Sequence, residues 1–297
     1  YKRQLLGYGT AASLYARVEQ MSSSPSDLAN RRAEIDQYDR EIHTLLQKRA
    51  KVVFGVMRAK AAATAAGEPT PPFRPGREAE VLRKLVAQHD GDFPIPSLLR
   101  IWREIISGAT RMQAVQQIAV LAEDQNSWDL ARDHFGISGE YVRTECLNTL
   151  LDDAANNRVA AAVVPACPSQ EAAFWWRSYL SEADNQGAPH IVARLPFFGE
   201  KAAQGAFVLS AFPSDPSSDD VSVIALSGAP DAGTSVSALI ESAGLTLPSA
   251  PASTDGAMLV EISGDPDKQA AMPAALAELP GVTKVRPLGS YAQPLSV

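Results

Sequence analysis

Six polar residues in the N-terminal part of the chain have side chains suited to binding a small dianion. Arginine and lysine bind carboxylates, while glutamate and glutamine can hydrogen-bond a hydroxyl or an ether oxygen. No metal-ligand spacing, activated nucleophile or phosphate-binding loop accompanies them. The set therefore favours chemistry that depends on holding and orienting an anion. Its members are Arg32, Arg49, Lys60, Arg77, Glu78 and Gln113.

Three helices are predicted to position these residues. Apolar residues recur at three- and four-residue steps between Leu28 and Val56, which predicts a first helix over residues 25–66. The proline- and glycine-rich segment 67–76 must break it. Residues 77–89 and 96–120 are predicted to form the second and third helices. Helices of such unequal length cannot enclose a large core alone, so a dimer is expected.

Helical spacing constrains which cations can share one ligand. Arg32 and Arg49 are 17 residues apart, so about 25 Å of helix axis and about 100° of rotation separate them. Arg49 and Lys60 are 11 residues apart, which places them on one face and about 16 Å apart. The simplest use of Arg32 is therefore to reach into a site on a second chain. An antiparallel dimer with two shared sites follows.

The order of the motifs resembles the all-helical chorismate mutase. The first is R-x-E-I-D-x-x-D-R-E-I-x-x-L-L-x-x-R, which runs from Arg32 to Arg49, and V-M-R-A-K ending at Lys60 follows it. Next come F-R-P-G-R-E-A-E-V-L and I-W-R-E-I-I-S-G-A, and then Gln113. The resemblance covers about 90 residues and several ordered motifs. It implies a three-helix domain that forms an intertwined homodimer.

The resemblance also implies a role for each polar residue. Arg49 and Arg32 of the partner subunit would bind the two carboxylates of chorismate. Lys60 and Gln113 would hydrogen-bond the ether oxygen as its bond to the ring breaks. Glu78 would hold the ring hydroxyl.

Arg77 would support the site, and two nearby positions depart from the family pattern. Ala109 stands where the family often has a serine, four residues before the glutamine. Arg74 stands three residues before Arg77, where some members have an aspartate. Neither departure removes a principal contact that the resemblance implies.

The implied reaction is the Claisen rearrangement of chorismate to prephenate in phenylalanine and tyrosine biosynthesis. It needs no base, nucleophile, metal or other cofactor, because the protein holds the chair-like conformer and places positive donors at the ether oxygen. One alternative is the isochorismate-pyruvate lyase reaction, since the same scaffold can align a pericyclic elimination. A second alternative is a non-catalytic regulator that binds a shikimate-pathway acid.

Composition and charge bound the remaining possibilities. The net charge of −7 is the sum of +1 over residues 1–27, +5 over residues 28–116 and −13 over residues 117–297, and the contrast between the last two indicates separate units. The basic residues are spread along helices, so nucleic acid is a poor partner. No apolar run approaches the ~20 residues of a membrane span. Two cysteines, Cys146 and Cys167, are too few for a disulfide framework, so a reducing cytoplasm and core positions for both are expected.

The sequence after Gln117 predicts an α/β region. Short apolar runs predict strands at residues 118–122, 158–166, 190–198 and 205–212, with helices at 128–135 and 146–156 between them. The run PSDPSSDD, residues 213–220, has the composition of a linker. The remaining residues predict a small β-α-β-β-α-β unit.

Parts of this region resemble the bifunctional chorismate mutase–prephenate dehydratase. IAVLAEDQNSWDLARDHFG and VAAAVVPA resemble dehydratase segments, and TKVRPLGSYAQP resembles the end of its ACT domain. The Thr-Arg-Phe signature of dehydration is absent, and residues 204–207 are the nearest match. The resemblance therefore implies a degenerate lobe without dehydratase activity. The expected organisation is an extension at 1–20, a mutase domain at 21–117, the lobe at 118–212 and an ACT-like domain at 220–297.

Overall fold

The computed structural model describes residues 25–65, 71, 73–113, 116–166, 171–181, 187–199, 205–228 and 232–296. Its contacts divide the chain into two units, Tyr1–Ala59 and Lys60–Val297. The predicted extension at residues 1–20 lies outside the described residues, and so does Cys167. None of the helices in the described ranges is both long and apolar enough to cross a membrane.

The N-terminal region is helical, as predicted. Helix α1 spans Pro25–Ala65, α2 spans Pro75–Gln88 and α3 spans Ile95–Arg111. The end predicted for the third helix, residue 120, is wrong. The chain leaves the helix after Arg111, because residues from Gln117 onward hydrogen-bond to two neighbouring strands instead.

An α/β region follows the helices. Its elements are β1 (Gln117–Leu121), α4 (Gln125–Phe135), β2 (Glu140–Thr144), α5 (Leu147–Ala155), β3 (Ala161–Pro165), a 3-10 helix (Glu171–Arg177), α6 (Ser178–Ser181), β4 (His190–Leu195) and β5 (Ala206–Ser210). The four predicted strands and two predicted helices are confirmed, with small shifts at their ends. Strand β2 was not predicted, because its EYVRT sequence lies largely exposed and carries no apolar run.

The C-terminal residues form the predicted β-α-β-β-α-β succession. Its elements are β6 (Asp220–Gly228), α7 (Ala232–Ser242), β7 (Ala252–Thr254), β8 (Ala257–Ser263), α8 (Pro266–Ala277) and β9 (Val282–Ala292). Strand β6 pairs antiparallel with both β8 and β9, and β7 pairs with β8. The sheet order of these four strands, counted along the unit, is therefore fourth-first-third-second.

All nine described strands belong to one mixed sheet in the order β2-β1-β3-β5-β4-β9-β6-β8-β7. The α/β region and the C-terminal unit meet where β4 runs parallel to β9, with Ile191 opposite Gly289. A Cβ at position 289 would lie 2.3 Å from the carbonyl oxygen of Ile191, and the φ of Gly289 is +133°. Only glycine fits this approach. We call the pairing of β4 with β9 the sheet junction.

Apolar side chains cover both faces of the sheet. Trp175 and Trp176 are buried in the same cluster as Leu150 and Phe207, so the tryptophan pair packs over the strands. The expectation of a buried Cys146 is wrong. Cys146 is exposed because it occupies the N-cap position of α5, outside the apolar face of that helix.

The segment predicted as a linker, which precedes β6, is attached to α2. Ser218 donates to Glu80 through its hydroxyl at 2.6 Å and through its backbone N–H at 2.9 Å. Arg83 donates to the hydroxyl of Ser217 at 2.9 Å and to the carbonyl oxygen of Asp219 at 2.8 Å. Asp220 already belongs to β6. The linker composition therefore describes residues that have no regular structure but are fixed in place.

Candidate functional site

Helix α1 carries an apolar seam that lies exposed in the single chain. Two series of residues recur at seven-residue steps, and each of them exposes between 44% and 68% of its surface. Seven-residue recurrence is the signature of a helix that packs along another helix. The first series is Leu28, Ile35, Ile42 and, two steps further on, Val56, and the second is Tyr38, Leu45 and Val52.

Two of the predicted site residues, Arg32 and Arg49, lie on α1 within the first unit, and both are exposed. Arg49 is one seven-residue step from Ile42 and one from Val56, so it lies within the exposed apolar seam. An arginine at this place would face whatever covers the seam.

Lys60 lies near the end of α1, in the second unit. Its ammonium group is half-buried and donates to the carbonyl oxygen of Pro71 at 3.2 Å. Burial lowers the pKa of Lys60, the charge of Arg74 lowers it further, and the carboxylate of Asp215 raises it. The lysine therefore stands among charged groups from two other parts of the chain.

Glu78, in the first turn of α2, forms a buried ion pair with Arg103 of α3. A nitrogen of Arg103 lies 2.9 Å from Oε2 of Glu78, and the two side chains expose 3% and 13% of their surfaces. Arg103 also stacks over the ring of Phe197, at 5.1 Å from its centroid. Burial raises the pKa of Glu78 to about 7, although the charge of Arg103 opposes the rise.

Arg103 was not among the predicted site residues, although its spacing gave a signal. The buried positions of α3 are Leu99, Arg103, Ile106, Ser107 and Thr110, which recur at helical steps. A charged residue inside a buried stripe needs a partner, because an unpaired charge in the interior is costly. That partner is Glu78, 25 residues earlier in the chain.

A small cavity adjoins this ion pair and is lined by polar groups. Its walls include Glu78, Thr110, Arg111, Gln116 and His134. Nη1 of Arg111, Nε2 of Gln116 and Nε2 of His134 are buried there without a hydrogen-bond partner among the described residues. Burial and the charge of Arg103 lower the pKa of His134 well below its ordinary value, so this histidine is neutral near pH 7.

The remaining two predicted residues, Arg77 and Gln113, flank this region. The side chain of Arg77 is exposed, and its backbone N–H donates to Oδ2 of Asp215 at 3.0 Å. Gln113 lies just beyond α3 and donates to the carbonyl oxygen of Ala109 at 3.1 Å. Its Oε1 atom is buried and accepts no hydrogen bond from the described residues.

The structure groups some of the six residues through Asp215. The charge of this aspartate influences the pKa of both Lys60 and Glu78, and its carboxylate contacts the backbone of Arg77. Gln113 has no hydrogen bond to any of these three within the described ranges. In those ranges, moreover, no group of three or more histidine, cysteine, aspartate or glutamate side chains could hold a metal ion. The groups near Asp215 are donors and acceptors suited to binding and orienting a polar ligand.

Comparison with known proteins assigns the helical region to a family. Residues 31–114 match the family described as chorismate mutase type II. The match covers α2 and α3 completely and α1 from its second turn onward.

Curated relatives extend the likeness beyond these helices. The bifunctional chorismate mutase/prephenate dehydratase of Aquifex aeolicus is 29% identical over 144 residues, which are 47% of this chain and 38% of that protein. The protein of the same description from Stutzerimonas stutzeri is 29% identical over 152 residues, 51% of this chain and 42% of the relative. The chain thus matches about two fifths of the length of these relatives.

Among solved structures, prephenate dehydratase from Streptococcus mutans is similar, with a TM-score of 0.44 and 18% identity. The match covers 61% of this chain and all of that one.

The raised pKa of Glu78 predicts a pH-dependent stability. The folded protein keeps a proton on Glu78 up to about pH 7, whereas the unfolded chain releases it near the ordinary value of 4.5. The contribution of Glu78 to the free energy of unfolding should therefore fall as the pH rises from about 4.5 to about 7. The free energy of unfolding of the wild type, relative to that of Glu78→Gln, should decrease over this interval, as measured by urea unfolding at a series of pH values with tryptophan fluorescence.

Glu80→Gln is the matched control for this measurement. Hydrogen bonds from Ser218 lower the pKa of Glu80, so its protonation lies below the tested interval. We expect this variant to keep the wild-type slope between pH 5 and pH 7. Equal slopes in Glu78→Gln and wild type would contradict the assignment of the raised pKa to Glu78.

Proposed function

Because residues 31–114 form a chorismate mutase type II domain, we propose that the chain converts chorismate to prephenate. The reaction belongs to aromatic amino acid biosynthesis, and we assign it to the cytoplasm. The observation that carries the proposal is the family match, together with a full set of polar residues on the three matched helices. Arg32, Arg49, Lys60, Glu78 and Gln113 are all present in order.

We assign the carboxylates of chorismate to arginines from two subunits. Arg49 is exposed and lies one seven-residue step from Ile42 and one from Val56 in the apolar seam of α1. A second α1 helix would bring Arg32 of the partner subunit to the same place in an antiparallel pair. Guanidinium groups suit this task, because they bind carboxylates through two parallel hydrogen bonds.

We assign the breaking bond to Lys60 and Gln113. Negative charge develops on the ether oxygen in the transition state, and a preorganised ammonium and an amide N–H stabilise it there. Lys60 is half-buried, which strengthens its interaction with a charge in the site. Gln113 would exchange its present bond to Ala109 for the substrate oxygen.

We assign the ring hydroxyl to Glu78 and a supporting role to Arg77. Arg103 engages Oε2 of Glu78 and fixes the direction of the carboxyl group. The hydroxyl would then donate to Oε1. No proton transfer or covalent intermediate is needed, since the rearrangement is unimolecular and its barrier is lowered by orientation and electrostatics.

The homodimer is part of this proposal, and the exposed seam supports it. Burying a large apolar side chain contributes about 1.5–3 kcal/mol. The seven exposed residues of the seam would supply a substantial driving force if a second chain covered them. A second α1 in the opposite direction would bury the seam and complete two sites.

The C-terminal part is proposed to have no dehydratase activity. The Thr-Arg-Phe signature of dehydration is missing, and the nearest described residues are the Gly205-Ala206-Phe207 sequence at the start of β5. We propose that residues 118–212 are a degenerate dehydratase-like lobe and that residues 220–297 are an ACT-like domain. The fourth-first-third-second strand order supports a compact unit in the second of these ranges.

A product assay tests the proposed function directly. Purified protein is incubated with chorismate, and the products are separated by chromatography. We expect prephenate without phenylpyruvate. Phenylpyruvate would show a working dehydratase, and pyruvate formation from isochorismate would favour the lyase. Binding of chorismate without turnover would favour a non-catalytic regulator.

Removal of either central cation should abolish most of the activity. We expect Lys60→Ala and Arg49→Ala each to lower kcat/KM by about 10²–10³, the loss typical of one preorganised donor to a developing anion. Initial rates of chorismate loss measure the effect.

Arg58→Ala provides a matched control for the two variants. It removes an exposed cation from the same helix and has no assigned role. Activity close to wild type is expected for it. If Arg58→Ala lost as much activity as Lys60→Ala, the effect would come from the charge of the helix and the site assignment would be wrong.

Shared sites predict complementation between inactive chains. Arg32→Ala and Arg49→Ala should each be inactive alone and should regain activity when they are unfolded and refolded together. Recovery of about a quarter of wild-type activity is expected, because random pairing makes about half of the dimers mixed and each mixed dimer has one intact site. Each variant refolded with itself is the control. No recovery in the mixture would contradict a site built from two subunits.

A further inference from the structure

The N-terminus of α2 has no capping side chain of its own. The N-cap position is Arg74, and its side chain makes no capping hydrogen bond. Arginine is a poor residue there, because the first N–H groups of a helix need an acceptor such as aspartate or serine. Pro75 has no N–H, so the first groups that need acceptors are those of Gly76 and Arg77.

Asp215 supplies both missing acceptors from 139 residues further along the chain. The backbone N–H of Gly76 donates to its Oδ1 at 3.0 Å, and that of Arg77 donates to its Oδ2 at 3.0 Å. These are the second and third residues of α2, which an aspartate at the N-cap would serve. A nitrogen of Arg74 lies 3.3 Å from Oδ2, so the arginine pairs with the carboxylate that replaces a local cap.

The backbone around Asp215 is packed against the helix, so this contact is not made by a loose side chain. A Cβ at Gly76 would lie 2.1 Å from the carbonyl oxygen of Asp215. Only glycine at position 76 admits such an approach. The contacts of Ser217 and Ser218 with Arg83 and Glu80 continue the attachment along the next turns of α2.

We propose that Asp215 is a positioning residue for the mutase site, acting as the cap of α2 from outside the segment that matches the family. It holds the helix start that presents Arg77 and Glu78. Its charge also belongs to the electrostatic surroundings of the site. This inference rests on the proposed function for its catalytic consequence, while the capping itself does not.

The charges around Lys60 provide a readout that packing alone would not change. Arg74 and burial lower the pKa of Lys60, and Asp215 raises it. Loss of Asp215 leaves Arg74 unopposed, so Lys60 loses its proton at a lower pH. The alkaline limb of the mutase pH profile should therefore move to lower pH in Asp215→Ala.

Three variants test the proposal, with thermal unfolding, kcat/KM and the pH profile measured for each. Asp215→Ala should lower the unfolding midpoint by a few degrees and kcat/KM by about tenfold, as expected for a lost helix cap. Asp219→Ala is the matched control. It removes an exposed carboxylate from the same segment. That carboxylate makes no hydrogen bond or ion pair to the described residues, so the variant should behave as wild type.

The double variant Arg74→Asp with Asp215→Ala is the rescue. An aspartate at position 74 is itself an N-cap and places a negative charge where Arg74 now influences Lys60. We expect the midpoint, kcat/KM and alkaline limb to return toward wild type. If Asp215→Ala matches Asp219→Ala in all three measurements, or if Arg74→Asp rescues none of them, the proposal is overturned.

These outcomes separate the inference from the proposed function. A wild-type protein that does not rearrange chorismate would overturn the function and the positioning role together. The unfolding midpoints of the same three variants would then still decide whether Asp215 caps α2.

Discussion

The sheet junction, where β4 pairs with β9, is the constraint on which the rest of the second unit depends. At this point Gly289 lies against Ile191, and two groups of strands become one sheet. The segment that contains Asp215 runs from β5 to β6, which lie on opposite sides of the sheet junction. Its two ends are therefore fixed by strands of a common sheet. Because the backbone is fixed at both ends of this segment, the carboxylate of Asp215 can be held in place against the start of α2.

The Glu78–Arg103 pair shows how the helices tolerate charge in their interior. Burial of an ion pair is commonly no better for stability than well-packed apolar residues, and it is costly when one partner is lost. We interpret the pair as a device that directs one carboxyl group and keeps it available at a defined place. The aromatic ring of Phe197 beneath Arg103 adds a favourable cation contact that a carboxylate alone would not provide.

Helical periodicity carried much of the correct prediction from sequence. The first helix ends within one residue of its prediction, because its pattern runs unbroken until the proline-rich segment. The third helix was predicted too long, because the short apolar run IAVL is compatible with either a helix or a buried strand when only the sequence is known. Strand β2 was missed because a strand that is held by hydrogen bonds to β1 need not carry an apolar run. The exposure of Cys146 was missed because the N-cap position of a helix has no apolar pattern.

The sequence alone suggested the residues of the candidate site but not the groups that hold them in place. Arg103 could have been found from its step along the buried stripe of α3. Asp215 could not, because it lies 139 residues from the backbone that it contacts, in a stretch whose composition indicates only a linker. The roles of Arg32, Arg49, Lys60 and Gln113 stay predictions, since they concern contacts with a substrate and a second subunit.

The exposed seam of α1 has a thermodynamic consequence. An isolated amphipathic helix gains little stability from its own hydrogen bonds, and most helices in proteins are stabilised by packing of their apolar face. The 41 residues of α1 leave that face in water in the single chain. If a second chain covers it, ordering of the helix and association become one equilibrium that follows mass action. Dilution would then lower the activity of each chain and its resistance to unfolding together, so the cellular concentration of the protein would itself set how much of it works.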